Sequence, residues 1–397
     1  MLLLEILMGV AGLFILAPVL ILSTEVMLAL SSKEAARAAT GVRPRLAVLI
    51  PAHDEALGIR DTVRSLVPQL QNRDRLLVVA DNCTDNTAAV ASAAGAEVIV
   101  RTHHTERGKG YALDFGVRHL EHDPPDVVLI VDADCHVVEG SVDVLAHACA
   151  QTGRPIQALN LSRAPPGANL TMRIAEFAST LKNRVRPLGL RRLGLPCQLT
   201  GTGMAFPWSC IIGATLATGH IVEDLTLGLQ LASAGYPPLF SPEARVTSYF
   251  PASQDGFRSQ RTRWEHGHIG VLLKNAAPLI LQSLYVRNWR LLALGLDLAV
   301  PPIALLSLVV SSAWLLGAVL YVFMGAKLLF LTATLAAAVL AVSVLACWAR
   351  FGRHILSLGS LAFGIVYAFR KVPLYLRFLA RRQLSWVRTR RDKDRPI

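Results

Sequence analysis

Charge is scarce in this sequence of 397 residues. Only 17% are Asp, Glu, Lys or Arg, against roughly 25% in a soluble domain. With 53% hydrophobic residues, that balance excludes a disordered or collagen-like chain and argues against a purely soluble protein. Acidic residues are the rarer sign, 28 against 40 basic, for a net charge of +12. Ten basic and two acidic residues lie between Arg370 and Ile397. Beside apolar segments, such a tail points to anionic lipid before nucleic acid. The six cysteines (Cys83, Cys135, Cys149, Cys197, Cys210, Cys347) form no CxxC and no zinc spacing. That argues against a disulfide framework and reads as reduced cytosolic thiols. There is no Walker A pattern, so phosphates would be bound through a metal rather than a P-loop. Internal repeats and low-complexity tracts are absent. The length suits two to three domains at roughly 150 residues each.

Long uncharged runs are present. Ile6 to Thr24 carries no charge over 19 residues, close to the 20 or so that cross a bilayer. Lys33, Arg37, Arg43 and Arg45 follow this run and no basic residue precedes it, which predicts a retained anchor with its N-terminus outside. Leu298 to Ala326 and Leu328 to Ala349 are charge-free for 29 and 22 residues. They predict a two-helix hairpin with both ends in the cytosol. Asp297 and the Pro301-Pro302 pair mark its start, after an interfacial stretch. Ile355 to Phe369 is charge-free for only 15 residues and has a basic, aromatic flank, which reads as a helix lying in the interface. The expected organisation is an anchor over residues 1–30, a catalytic segment over 43–274, an interfacial region over 275–302, a hairpin over 303–349, and an interfacial helix with a basic tail over 354–397.

The segment between anchor and hairpin holds nearly all the His, Asp and Glu. Its first half alternates short apolar runs with helical patterns. Strands are expected at Leu46 to Ile50, Leu76 to Ala80, Glu97 to Val100 and Val127 to Val131. Helices are expected at Asp61 to Leu70, Thr84 to Ala94 and Gly110 to Leu120. This order predicts an α/β fold with a parallel sheet covered on both faces, where ligands bind beyond the carboxyl ends of the strands. Glu55, Asp81, Asp132 and Asp134 follow three of those ends. Four converging carboxylates repel one another without a cation, and with Mg²⁺ or Mn²⁺ they make a hard-oxygen site that also holds phosphates. Taken alone, Asp81 and Thr84 can simply cap a helix, and Glu223 and Asp224 can simply start one. A lone DxD is common. His266 and His268 lack further ligands and read as structural or acceptor-side.

In this order the motifs resemble a family 2 glycosyltransferase of the GT-A fold, Rossmann-like with a mostly parallel sheet. Val48-Leu49-Ile50-Pro51-Ala52-His53-Asp54-Glu55 resembles the opening strand, with Asp54 where the family usually has Asn. Val79 to Asp85 resembles the nucleotide-contact motif, and Gly108-Lys109-Gly110-Tyr111-Ala112-Leu113 a glycine-flanked helix start. Asp132-Ala133-Asp134 is the DxD. Glu223-Asp224 resembles the TED motif, with Val222 replacing Thr. Gln260-Arg261-Thr262-Arg263-Trp264 matches QxxRW. Leu199 to Met204 resembles the acceptor-side strand.

The resemblance implies residue roles. Pro51, Glu55, Asp81, Lys109, Asp132, Gln260, Arg263 and Trp264 would contact a nucleoside diphosphate-sugar, with uridine the family's commonest base. Asp134 and Asp132 would hold Mg²⁺ or Mn²⁺. Gly201, Thr202, Gly203 and Trp264 would face the acceptor, Asp224 would act as general base and Glu223 would support it. The expected activity is inverting transfer to a lipid-linked saccharide or growing polysaccharide at the cytosolic face of the inner membrane, in contact with membrane lipid and possible polysaccharide-assembly partners, with no nucleic acid. Alternatives are a processive polysaccharide synthase, transfer to a polyprenyl phosphate or ceramide-like lipid, and a non-catalytic nucleotide-sugar sensor. The basic stretch Ala168 to Arg186, with Arg191 and Arg192 beyond it, is read as a face for anionic headgroups or a lipid diphosphate.

Overall fold

The structure is a computed structural model that describes residues 2–32, 41–219 and 221–380. Lys33 and Arg37, used above to orient the anchor, and the basic tail from residue 381 onward lie outside the described residues. Two compact units make up the chain. One contains Lys33–Pro166 and Pro196–Gly267; the other contains Met1–Ser32, Gly167–Leu195 and His268–Arg382.

Among the described residues, the first unit is built on eight strands. They are β1 (Leu46–Ala52), β2 (Arg75–Asp81), β3 (Glu97–Arg101), β4 (Val127–Ile130), β5 (His136–Val137), β6 (Ile156–Arg163), β7 (Met204–Pro207) and β8 (Leu239–Tyr249). Their order is β3-β2-β1-β4-β7-β6-β8-β5. β1 pairs in parallel with β2 and β4, and β2 with β3, as the alternation of short apolar runs and helices predicts. β7 reverses the direction against both β4 and β6, β8 runs parallel to β6, and β5 is antiparallel to β8. The sheet is therefore mixed. Leu46, Val48 and Ile50 pack into one core while Ala47 and Leu49 pack into another. That period of two buries both faces and explains why the strand reads as a continuous apolar run.

Local chemistry shifts several boundaries. The helix expected over Asp61–Leu70 runs Ile59–Leu66 and tightens to a 3₁₀ turn at Val67–Gln69, where Pro68 has no N–H to donate. The helix expected from Thr84 starts at Thr87. The N–H groups of Thr84 and Asp85 instead donate to Asp54 Oδ1 at 2.6 and 3.2 Å. Asp54 itself has a left-handed φ of 52°, tolerable for a short polar residue. Its charge, the departure from Asn, is thus met by donors of the next loop.

Among the described residues of the second unit, three helices are long and apolar enough to cross a membrane: Glu5–Leu30, Ile303–Met324 and Leu328–Gly352. Helix Leu2–Leu30 lies parallel to helix Leu328–Cys347, Gly9 beside Leu328 and Gly12 beside Thr332. A Cβ on Gly12 would lie 2.0 Å from Thr332 Oγ1, so small residues set this close crossing. Glu5 accepts from the Lys327 and Leu328 N–H groups at 3.0 and 3.2 Å, which satisfies the start of the following helix. The segment read as interfacial forms helices Leu358–Arg370 and Val372–Ala380; 13 residues is short of a span.

The expected catalytic segment 43–274 is interrupted, because Gly167–Leu195 groups with the apolar helices. Two contacts account for this. Arg186 Nε is 2.8 Å from Glu25 Oε2 and its Nη2 is 2.5 Å from Asp297 Oδ1. A Cβ on Gly189 would lie 2.0 Å from the Glu25 carbonyl oxygen. Arg186, expected on an exposed basic face, is therefore buried, since an arginine between two carboxylates is the form in which this charge leaves water. His266 and His268 are also buried. Burial, with Lys182 and Arg186 nearby, holds His268 neutral by pushing its pKa well below the ordinary range.

Candidate active site

Parallel pairing brings the ends of β1, β2 and β4 to one rim. Asp81 ends β2 and is buried. Arg101, its register partner at the end of β3, donates from Nη1 to Asp81 Oδ1 at 2.8 Å and stands 5.5 Å from the centre of the Tyr111 ring. Arg101 was missed in the sequence, where only the β2–β3 register would point to it. Asn82 also donates to Asp81 Oδ1, at 3.0 Å. The Glu55 N–H donates to Thr87 Oγ1 at 2.7 Å, tying the loop after β1 to the helix after β2. Pro51 lies inside β1, opposite Val79.

Lys109 is the centre of the constellation. It opens helix Lys109–Leu120 after Gly108. A Cβ on Gly110 would come within 2.5 Å of the Leu216 carbonyl oxygen, so only glycine lets this helix start approach the 216–218 strand of chain. Lys109 Nζ lies 2.5 Å from Asp132 Oδ1, 3.7 Å from Glu223 Oε1, and donates to the Gly201 carbonyl at 2.5 Å. Four segments far apart in sequence thus meet on one ammonium. Burial alone would lower its pKa, but Asp132 and Glu223 outweigh that and raise it, so Lys109 stays charged.

Glu223 and Asp224 form the first turn of helix Glu223–Ser233, where the helix dipole favours negative charge. Burial pushes the Glu223 carboxyl up to about 7, opposed by Lys109 and reinforced by Asp224. Asp224 faces Gly201: a Cβ there would stand 3.2 Å from Asp224 Oδ2. With φ at +91°, Gly201 both makes the turn and leaves room before that carboxylate.

The expected acceptor-side strand begins only at Met204, and Thr200–Gly203 is a turn. Thr202 is buried and its hydroxyl accepts the Asp132 N–H at 3.1 Å. Gly203 has a φ of +64°, and a Cβ there would press to 2.8 Å on Ala158 and Val246. Gln157, buried and unnoticed in the sequence, fixes this turn. It accepts from Thr200 N–H at 2.8 Å and donates to the Thr202 carbonyl at 2.9 Å.

Gln260, Arg263 and Trp264 lie in helix Gln254–Tyr285. Their link to the carboxylates runs through Gly267, where a Cβ would lie 2.6 Å from Val222 Cγ1, the residue before Glu223. The Trp264 ring packs 6.4 Å from that of Phe250. Gln260 Oε1 is buried with no hydrogen-bond partner among the described residues, an acceptor left for another donor.

Donor atoms of Asp132, Asp134 and Cys135 lie within 4.8 Å of one another. Burial, then the two aspartates, drives the Cys135 thiol well above its ordinary pKa, so it stays protonated and is a poor ligand for a hard cation. The two carboxylates suit Mg²⁺ or Mn²⁺, whose remaining positions are typically filled by water and phosphate oxygens.

The family model described as glycosyltransferase like family 2 matches residues 44–267. The chain belongs to this family. Among similar proteins, "Probable glycosyltransferase YdaM" of Bacillus subtilis is 26% identical over 242 residues, 58% of this chain and 57% of that protein. Poly-beta-1,6-N-acetyl-D-glucosamine synthase of Staphylococcus aureus is 24% identical over 237 residues, 57% of this chain and 55% of that protein. The match thus spans a little over half the length of either relative. A solved mannosyltransferase from Pyrobaculum calidifontis, in complex with GDP-Man and Mn²⁺, superposes with a TM-score of 0.49 at 18% identity, covering 87% of this chain and 98% of that one. The family 2 matching region and the Lys109 constellation coincide: Lys109, Asp132, Gly201, Glu223 and Asp224 all fall inside residues 44–267.

Proposed function

We propose that this glycosyltransferase moves a sugar from a nucleoside diphosphate-sugar, with uridine as the base, to a lipid-linked saccharide or growing glycan at the cytosolic face of the inner membrane, with inversion at the anomeric carbon. The observation that carries this reading is the meeting of Lys109 with Asp132, the Gly201 carbonyl and Glu223, with Asp224 at the opening beside Gly201. Asp81 receives the nucleoside, and Pro51 and Glu55 line its approach. Lys109 holds its charge beside the departing diphosphate, which gains negative charge as the glycosidic bond breaks. Arg263 adds a second cation. Gln260 offers its buried carbonyl oxygen to a hydroxyl or N–H of the donor, and Trp264 gives a flat surface for a sugar.

Asp224 accepts the proton of the acceptor hydroxyl while that oxygen bonds to the anomeric carbon and the diphosphate leaves from the opposite side. Glu223 helps hold the local charge balance, and Gly201, Thr202 and Gly203 shape the acceptor side. A divalent ion on Asp132 and Asp134, when bound, supplies Lewis-acid neutralisation of the diphosphate.

The three apolar helices support membrane attachment, and their parallel outer pair puts the ends at Leu30 and Gly352 on one side. Arg350 and Arg353 flank the end at Gly352, which favours the cytosol. A processive polysaccharide synthase is the second reading, favoured by the printed name of the Staphylococcus aureus relatives; a ladder of products rather than one addition per acceptor would establish it. The direct test of the first reading is Asp224→Asn. Donor binding, followed by quenching of Trp fluorescence, should stay within about threefold, while transfer falls by about 10²-fold or more. Retained transfer would remove Asp224 from the base role.

A further inference from the structure

The ladder between β4 and β7 stops where the carboxylates begin. Its antiparallel register runs from Val127 opposite Pro207 to Ile130 opposite Met204. Carried two residues on, the same register sets Asp132 opposite Thr202. The chain turns away there, with φ of +91° at Gly201 and +64° at Gly203. The Gly203 carbonyl accepts from the Ala158 N–H at 2.8 Å, so it is turned toward β6. This departure would leave the Asp132 N–H unpaired, at a cost in free energy. The Thr202 side chain meets it instead, Oγ1 accepting at 3.1 Å. A hydroxyl between two glycines thus replaces the missing rung.

That hydroxyl has a second contact. Thr202 Oγ1 donates to Cys135 Sγ at 3.5 Å, and the Cys135 thiol donates to Asp134 Oδ1 at 3.7 Å. Thr202 and Cys135 are both buried, each 3% exposed. The chain therefore has one direction: Asp132 N–H, Thr202 hydroxyl, Cys135 thiol, Asp134 carboxylate. Each of the two middle groups takes one hydrogen bond and gives one. Bonds through sulfur are weak, but burial removes competing water and strengthens those that form. The backbone around them is pinned as well. The Cys135 N–H donates to the Asp132 carbonyl at 3.2 Å, and buried Thr62 donates from Oγ1 to the Ala133 carbonyl at 2.9 Å.

We propose that Thr202 and Cys135 are positioning residues for the divalent ion: through this chain they hold Asp132 and Asp134 ready for it and set how tightly Mn²⁺ or Mg²⁺ binds. Donor atoms of Asp132, Asp134 and Cys135 lie within 4.8 Å of one another, and carboxylates this close repel one another until a cation joins them. Left to rotate, they would swing apart, and the ion would have to order them as it bound. Hydrogen bonds from behind fix a ligand's orientation in advance, which is why such partners govern metal affinity. The inference rests on reading Asp132 and Asp134 as ligands of the ion. It makes no use of the transfer reaction.

The test is Mn²⁺ titrated into the metal-free full chain in detergent, with free and bound ion read by electron paramagnetic resonance and no sugar present. The parent should bind Mn²⁺ and Asp134→Asn should lose it. Thr202→Val, of the same shape without the hydroxyl, should weaken binding by about tenfold or more, and Cys135→Ala by about threefold or more. Thr202→Ser restores the hydroxyl and should bind within about threefold of the parent. The lines of bound Mn²⁺ should broaden in Thr202→Val and Cys135→Ala, a signature that lower stability alone does not produce. If Thr202→Val fails to fold, Cys135→Ala, which keeps the bond to the Asp132 N–H, carries the test. Parent affinity and line shape in Cys135→Ala and in any folded Thr202→Val, or a loss in Thr202→Ser as large as in Thr202→Val, would overturn the positioning role. A sulfur-to-metal charge-transfer band on adding Co²⁺, absent in Cys135→Ala, would also overturn it by making Cys135 a ligand. Mn²⁺ bound equally by the parent and Asp134→Asn, or by neither, would overturn the metal reading and this inference with it. Parent binding that needs Asp134 but ignores Thr202 and Cys135 would overturn this inference alone.

Discussion

Lys109 shows how one residue can bind together segments that lie far apart in the sequence. It stands 23 residues from Asp132 and 114 from Glu223 in the sequence, yet it touches both. Its Nζ is the counter-charge for carboxylates that are only 35% and 15% exposed. Lys109→Met removes that charge and leaves them opposed to one another. Loss of one partner from such a buried set costs on the order of 3 kcal/mol, so the unfolding midpoint in detergent should fall. Transfer should fall by about 10²-fold or more. An unchanged midpoint and turnover would show that the ammonium is incidental. Asp81 and Asp132 were legible because they directly follow apolar runs, and Glu223 through its motif resemblance. Lys109 was legible as a donor contact from its glycine-flanked motif, but its pairing with Asp132 was not, nor was Arg101 beside Asp81, because an ion pair between distant segments leaves no periodicity. The buried Gln157 that fixes the Thr200–Gly203 turn was equally silent.

Elements carried a stronger signal, and where they departed from expectation the cause is local chemistry. Of the four parallel strands, three are buried almost throughout, while β3 is largely at the surface. All four and their pairing were legible from runs of four or five residues between helices. The reversal at β7 was not, since four residues, Met204–Pro207, carry no direction. The apolar helices were legible by length, but their pairing was not. Gly9 and Gly12 reveal it only beside Leu328 and Thr332. Gly12→Leu inserts a side chain where even a methyl group meets Thr332. Overpacking of this kind costs about 1–3 kcal/mol, and should appear as faster proteolysis and a lower unfolding midpoint, with Gly364→Leu, a glycine whose Cβ position is open, unaffected.

Helix Gln254–Tyr285 contributes a pH dependence through His268. Its folded pKa lies well below the ordinary 6.5 through burial and the nearby Lys182 and Arg186. Above pH 6.5 the unfolded and folded forms carry the same charge there and the stability is full. As pH falls below 6.5 the unfolded chain takes a proton that the fold refuses, so stability is lost by at most about 1.4 kcal/mol per pH unit. His268→Gln should flatten the fall in unfolding midpoint between pH 7.5 and 5. An identical slope in the variant would contradict this source.

At the scale of the whole molecule, the charge is divided between two kinds of structure. The sheet-bearing segments Lys33–Pro166 and Pro196–Gly267 hold 18 basic and 22 acidic residues, while the segments with the apolar helices hold 17 and four. The basic residues from Arg370 to Arg382 were the visible part of this division in the sequence. The rest was hidden because Gly167–Leu195, with its arginines, interrupts the family 2 region and belongs structurally with the apolar helices. An acid-rich catalytic unit suits a metal and diphosphate, and a basic apolar unit suits an anionic membrane.

Transfer of sugar from a nucleoside diphosphate donor by this family 2 member is read out by nucleotide release. The full chain in detergent is offered a panel of nucleoside diphosphate-sugars with bacterial lipid extract and either Mg²⁺ or Mn²⁺. Release is expected from one preferred donor, abolished by EDTA and dependent on the lipid extract. Release that persists unchanged in EDTA, or binding of nucleotide without release from any donor in the presence of metal and lipid, would contradict this function.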